Sequence, residues 1–274
     1  IILSVVIKDT IKSSDEISEK LDAKLLGSVN KANSKAKNDS KPSVLITDKK
    51  TGFSFIEAYK LIRTKIEYAS AKKGYKTIVV SSTTESEGKT TTATNIALSL
   101  AQNGKSVLLI DADLRKPSVA KTLGFSATDD EGICGIISGD KTLKESIKYS
   151  EKYQLFVLVS GKAVDNSSEI LSSPKMEEII ESAKKEFDFV IIDTAPCGIL
   201  ADASIIAGYA DTSIMIVKQD CAPARKIKRA IDNIENSGIE ILGCIYNNAE
   251  RGFGKPSFYG KKSGYGYGYG YGYG

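Results

Sequence analysis

The chain has 274 residues, 41% hydrophobic and 26% charged, enough for one sizeable core plus an appendage and typical of a soluble globular protein. Its net charge of +4 is too mild to point to nucleic acid, and the lack of any histidine excludes histidine acid–base catalysis, Ser-His triads and most zinc sites. Cys134, Cys197, Cys221 and Cys244 stand far apart with no CxxC pair, so reduced cytoplasmic thiols are expected and a metal cluster is not.

The chain opens with Ile1-Ile2-Leu3-Ser4-Val5-Val6-Ile7, which is too short to span a bilayer and lacks the marks of a signal peptide. It reads either as a first β-strand or as the last turns of a membrane helix, with Lys8 and Lys12 as positive-inside residues. Ser14 or Asp15 suits the cap of a short helix reaching Leu21, and Leu25, Leu26 and Val29 suit a brief extended piece. Residues 30–50, rich in Lys, Asn and Ser and holding Pro42, read as a solvated flexible linker.

From Phe53 the pattern turns helical. Phe55, Tyr59, Ile62 and Ile66 recur at three- and four-residue steps, with Glu57, Lys60 and Arg63 on another side. Short β-branched runs follow at 77–82, 106–111, 155–160, 189–193, 213–217 and 241–246, separated by amphipathic segments. Several are apolar throughout, as strands buried on both faces are. This alternation predicts an α/β fold: a doubly wound, mainly parallel sheet flanked by helices, binding its ligand beyond the carboxyl ends of the strands.

Three motifs fall at those ends. The first run leads into Ser81-Ser82-Thr83-Thr84-Glu85-Ser86-Glu87-Gly88-Lys89-Thr90, followed by a helix through Ala101. Gly88 lets the backbone approach a phosphate, the helix N-terminus offers N–H groups, Lys89 neutralises β- and γ-phosphates, and the Thr90 hydroxyl suits magnesium. Glu87, Gly88, Lys89, Thr90 and Thr91 are the expected nucleotide-binding set. Thr83 stands where the first glycine of G-x-x-x-x-G-K-[ST] is usual. Gly-Lys-Thr at a helix start is common by chance, and the strand–loop–helix context is what makes it specific.

The second motif is Asp111-Ala112-Asp113-Leu114-Arg115-Lys116-Pro117. Alternate positions place Asp111 and Asp113 on one side of the strand end, where two carboxylates can hold magnesium and an incoming hydroxyl. A phenol, with a pKa of about 10, needs a base or a metal field to become a nucleophile. The third motif, Phe189-Val190-Ile191-Ile192-Asp193, has the form of a Walker B strand whose acid supports the metal shell. Each is weak alone; all three in order are strong.

The chain ends in a tyrosine cluster: Tyr259, then Tyr265, Tyr267, Tyr269, Tyr271 and Tyr273 in alternation with glycine. Glycine at every second residue and no apolar periodicity predict a tail that does not fold. By itself such a repeat suits an adhesive low-complexity tail. Beside a phosphate-binding loop, a phosphate-accepting tail is the better explanation.

With these motifs together, residues 53–247 resemble the bacterial tyrosine kinases (BY-kinases) of capsule and exopolysaccharide assembly, the Asp111-to-Pro117 run matching their additional Walker A′ motif. Residues 1–30 resemble the juxtamembrane end of the Wzz-like chain-length-determinant protein that activates the kinase. The resemblance implies an activator segment (1–29), a linker (30–50), a P-loop kinase domain (51–250) and an acceptor tail (251–274), at the cytoplasmic face of the membrane. It implies that Glu57, Lys60 and Arg63 lie in the oligomerisation helix, with Lys60 where the family has arginine, and that Asn247 lies near the adenine. It also implies a ring in which each tail meets a neighbour's site, and leaves other tyrosine-bearing proteins open as substrates.

The expectation is ATP- and Mg2+-dependent autophosphorylation of the tyrosine cluster. Lys89, Thr90, Asp113 and Asp193 organise the nucleotide and metal, and Asp111, also a candidate metal ligand, activates the phenol; the roles of Asp111 and Asp113 are interchangeable at this level. Arg115 is a candidate for phosphate or subunit contacts. The competing readings are a Min/Par-type positioning ATPase and a nucleotide-stabilised scaffold. The first usually carries an additional lysine in the region of Thr83, Thr84 and Glu85, and none is present.

Overall fold

In a computed structural model, residues 9–31, 44–126, 128 and 130–249 are described; the apolar run 1–7 and the tyrosine cluster lie outside them. The elements of the N-terminal half are α1 (Asp15–Leu21), β1 (Leu25–Asn30), α2 (Phe53–Lys73), β2 (Thr77–Ser82), α3 (Lys89–Gln102), β3 (Val107–Asp111), α4 (Val119–Leu123) and α5 (Gly132–Ser138). Those that follow are α6 (Leu143–Ser146), β4 (Lys148–Ser150), β5 (Leu155–Leu158), α7 (Ser167–Leu171), α8 (Pro174–Glu186), β6 (Phe189–Asp193), α9 (Asp202–Ala207), β7 (Thr212–Lys218), α10 (Ala224–Glu235) and β8 (Ile241–Ala249).

The strands form one sheet in the order β1-β8-β7-β2-β6-β3-β5-β4. Every pairing is parallel except that of β4 with β5. All residues of β2, β3 and β6 are buried, as in strands covered on both faces, including the polar residues at their ends. Successive side chains serve opposite layers. Ile78, Val80, Leu109 and Ile191 join α2 and α3 on one face, while Val79, Leu108, Ile110, Val190 and Ile192 join α8 and α9 on the other.

Two stretches differ from their sequence readings. The end of the expected linker is anchored, because Asn95 accepts from the Ile46 amide at 2.8 Å and donates to the Val44 carbonyl at 2.9 Å. Leu45 and Ile46 consequently sit in the core. The N-terminal segment shares that core too: Ile11, Ile17 and Leu21 are completely buried against α10 and β7, and β1 is the edge strand beside β8. A stop at residue 29 therefore divides one folded body. β4 is too short and too polar to signal itself.

Candidate active site

The site sits on the carboxyl edge of β2, β3 and β6, as a doubly wound sheet dictates. β2 ends in the loop 83–88, where Ser86 and Gly88 adopt positive φ (62° and 89°) to turn the chain into α3. A Cβ on Gly198, in the β6–α9 connection, would stand 2.3 Å from the Thr83 carbonyl oxygen, so the two loops pack backbone against backbone there. The fit is secured by the Cys197 amide donating to the Ser82 carbonyl at 2.9 Å.

Asp111 and Asp193 are direct register partners on adjacent strands, and both are fully buried. Lys89, first residue of α3, donates to Asp193 Oδ1 at 2.7 Å and lies 3.4 Å from Asp113 Oδ2. Thr90 donates to Asp193 Oδ2 at 2.6 Å and meets the Ser118 hydroxyl at 3.1 Å. Asp111 Oδ2 accepts from the amides of Ser118 and Val119, each at 2.9 Å, while its Oδ1 is buried with no protein partner. Asp113 accepts from the Lys116 amide at 3.1 Å.

Charges in this space shift one another. Burial pushes Asp111 up to about 7, reinforced by the Asp193 charge and opposed by the two amides and Lys89. Burial raises Asp193 as well, against the pull of Lys89. Burial alone would lower Lys89, but Asp193 and Asp113 outweigh it and hold the ammonium protonated.

The structure brings most of the expected residues to one cleft of about 410 Å3, lined by Gly88, Lys89, Thr90, Thr91 and Asp113, with Pro196 and Leu200 opposite. Glu87 differs: its side chain turns under the loop, accepting from the Thr84 amide at 2.7 Å, and burial pushes it up to about 7. It therefore supports the loop from below, and its carbonyl takes a 2.7 Å hydrogen bond from Asn247 Nδ2. Asn247 thus reaches the phosphate loop from β8.

Arg115 lines the cleft and was expected only loosely. Its Nε donates to Asp202 at 3.0 Å and its guanidinium also reaches the Asp165 carbonyl, 2.9 Å. Asp202, fully buried, collects the hydroxyls of Ser167 and Ser168 as well, both at 2.6 Å. The sequence offers only an acid at a helix start as a signal for this anchor. On α2, Lys60 pairs with Glu57 at 2.8 Å on the exposed side, whereas Arg63 turns inward to the Ser99 carbonyl at 3.0 Å.

Among the described residues no cluster of three or more acidic, histidine or cysteine side chains is close enough to hold a metal unaided. The donor set nevertheless fits magnesium, which keeps water and takes substrate phosphate in its shell. Thr90, Asp113 and Asp193 converge on one cationic group, and Asp111 keeps an unpartnered oxygen beside them.

Fold and site together define a P-loop NTPase. The AAA domain family matches residues 75–237. Tyrosine-protein kinase YwqD of Bacillus subtilis is 36% identical over 204 residues, 74% of this chain and 84% of its own. The crystal structure of the chimerical protein CapA2B2 superposes with a TM-score of 0.78 at 26% identity, covering 87% of this chain and 100% of that one. The septum site-determining protein MinD of Pyrococcus horikoshii, complexed with Mg-ADP, shares the fold less fully: TM-score 0.55, 24% identity, 63% of this chain and 70% of its own. The chain belongs to the bacterial tyrosine-protein kinases.

Proposed function

We propose that this kinase transfers the γ-phosphoryl group of ATP to its own C-terminal tyrosines, Tyr259 and the repeat Tyr265 to Tyr273, between subunits of a ring serving capsule or exopolysaccharide assembly. The observation that carries the chemistry is the pairing of Lys89 with Asp193 and Asp113 beside Asp111, whose Oδ1 is free to accept a proton. Gly88, Thr90 and Thr91 present backbone N–H groups to phosphate at the start of α3, and Lys89 gives its ammonium to the β- and γ-phosphates. Thr90, Asp113 and Asp193 would hold magnesium, which would supply neutralising charge to the transferring group. Asp111 takes the phenol proton as the tyrosine O–P bond forms and the bond to the β-phosphate oxygen breaks.

Three further features support the wider reading. α2 exposes Phe53, Leu61 and Tyr68 alongside Glu57 and Lys60, an amphipathic stripe suited to a neighbouring subunit. Residues 9–24 hold the loop after β7: the Ala224 amide donates to the Asp9 carbonyl at 2.7 Å and the Asp220 amide to the Ile11 carbonyl at 2.9 Å. That loop reaches the site through Gln219, whose amide donates to the Asn247 carbonyl at 3.0 Å. The segment therefore acts as the activator in cis, the part that a chain-length-determinant membrane protein plays for separate kinases. Each phosphate on the tail adds nearly two negative charges, and several repel one another and the acidic site, loosening the ring and pacing polymer export.

The test is intact and peptide mass spectrometry after incubation with Mg·ATP, beside Lys89→Met. Phosphate on residues 265–273 that is absent from the variant supports the reading. ATP consumed with the tail unmodified overturns it in favour of a positioning ATPase.

A further inference from the structure

A second cleft, of about 360 Å3, lies across the 197–201 loop from the nucleotide cleft, and Leu200 lines both. Its other walls come from Gly198, Ile199, Ser204 and the end of α10, where Asn233 and Asn236 are exposed. Ile199 lines the second cleft and is 62% exposed, an unusual position for a large aliphatic side chain next in sequence to a residue of the nucleotide cleft. No charged residue lines this second cleft. The catalytic reading gives it no task.

The C-terminal repeat has matching chemistry. Residues 264–274 contain only tyrosine and glycine, so the segment is uncharged. When such a segment is extended, alternate residues share one face about 7 Å apart. Every tyrosine then projects on the same side, and the glycines leave no Cβ to obstruct a ridge. Between Ala249, the end of β8, and Tyr265 lie fifteen residues, a reach of about 50 Å when extended.

We propose that the cleft formed by Ile199, Ser204, Asn233 and Asn236 is a tyrosine-binding subsite. It holds one unmodified tyrosine of a second copy's 265–273 repeat while a neighbouring tyrosine of that repeat enters the nucleotide cleft. Ile199 and Leu200 pack against the ring, and the two asparagine amides meet the phenol hydroxyl. A phosphotyrosine brings nearly two negative charges to a cleft without a cation, so the subsite rejects repeats already modified. Transfer therefore proceeds fastest on a fresh tail and slows as phosphates accumulate. This rests on the kinase reading above.

The test uses the full chain with Tyr265, Tyr267, Tyr269, Tyr271 and Tyr273 changed to serine, so that only added peptide is labelled at the repeat. Three synthetic peptides are compared: the Tyr-Gly repeat, the same peptide with one tyrosine and serine elsewhere, and one with phosphotyrosine flanking a single tyrosine. The expected result is a kcat/KM per acceptor tyrosine about tenfold higher for the full repeat than for either other peptide, about what one weakly held ring contributes. The triple change Ile199→Ser, Asn233→Ala and Asn236→Ala, all at exposed positions, should remove that preference. KM for ATP and turnover of the single-tyrosine peptide should not move. A variant that keeps the preference, or a wild-type site that shows none, overturns the subsite while leaving the kinase reading intact. Labelling of no peptide at all overturns both.

Discussion

Asn247 occupies the space that a side chain on Gly88 would need: a Cβ there would stand 2.2 Å from Asn247 Nδ2. The glycine also holds φ at 89°, where any other residue is strained. Gly88→Ala should therefore push Asn247 off the Glu87 carbonyl and disturb the loop beyond the roughly 1–2 kcal/mol of left-handed strain. The expected outcome is a folded protein with at least tenfold weaker nucleotide binding, read by calorimetric titration. Asn247→Ala, which makes room, should recover part of the loss in the double variant.

Lys89→Met should do more than stop catalysis. It leaves Asp193 and Asp113 without their counter-ion, and losing one partner of a buried pair typically costs about 3–5 kcal/mol. Protonation of Asp193, already favoured by burial, softens this toward the lower figure. Urea unfolding should show the destabilisation, and adding Asp193→Asn to Lys89→Met should restore much of it. A variant as stable as wild type would mean that the pair contributes nothing to the fold.

Glu87 should give the stability curve a particular slope. Burial raises its carboxyl from 4.5 to about 7, so between those values the folded chain binds more protons than the unfolded one. This contribution to stability is present below pH 4.5, falls as pH rises through the window and is flat above about 7. The whole change is about 3 kcal/mol at most, at 1.36 kcal/mol per unit. Subtracting the urea midpoints of Glu87→Gln from those of wild type across pH 5 to 8 isolates it. A difference that rises with pH would reverse the assignment.

Ile17→Ala empties a fully buried site between α1 and α10 and should cost about 2–4 kcal/mol. Because residues 9–11 hold the loop that bears Gln219 and Asp220, the same change should weaken ATP binding several-fold without touching the cleft. Fluorescent-nucleotide titration separates this from a general loss of fold, since Ile180→Ala, in the core of the opposite flank, should destabilise comparably yet leave affinity unchanged.

The proposed ring makes the exposed stripe on α2 its contact surface, which a single charge tests. Leu61→Glu places a charge among Phe53, Leu61 and Tyr68, so sedimentation velocity should find rings for the unaltered chain and monomers for the variant, with thermal unfolding little changed.

Much of the fold was legible because its strands are buried on both faces and need no partner information to be recognised. Phe189 to Asp193 is an example: four apolar residues and an acid mark both the strand and its functional end. Lys89, Thr90, Asp111, Asp113 and Asp193 could be read for the same reason, since a parallel sheet places strand ends together whatever the helices do. Contacts made across the sequence were not legible. Gly198 leaves room for the Thr83 backbone from another loop, Asp202 anchors Arg115 from eighty-seven positions away, and Asn95 secures residues 44–46. The inward turn of the Glu87 side chain was not legible either, because spacing in a phosphate loop does not tell which side chains point away from the cleft.

Lys89, shared by Asp193 and Asp113, makes the site a test of coincidence. An anion that draws the ammonium toward itself strips two carboxylates of their counter-ion, one of them fully buried. A divalent cation arriving alone meets an ammonium already in its place. Only a ligand delivering both charges together exchanges partners without exposing either sign. The same three side chains should therefore disfavour free phosphate, free metal and metal-free nucleotide alike, so that the proposed preference for a metal–nucleotide pair would need no gate.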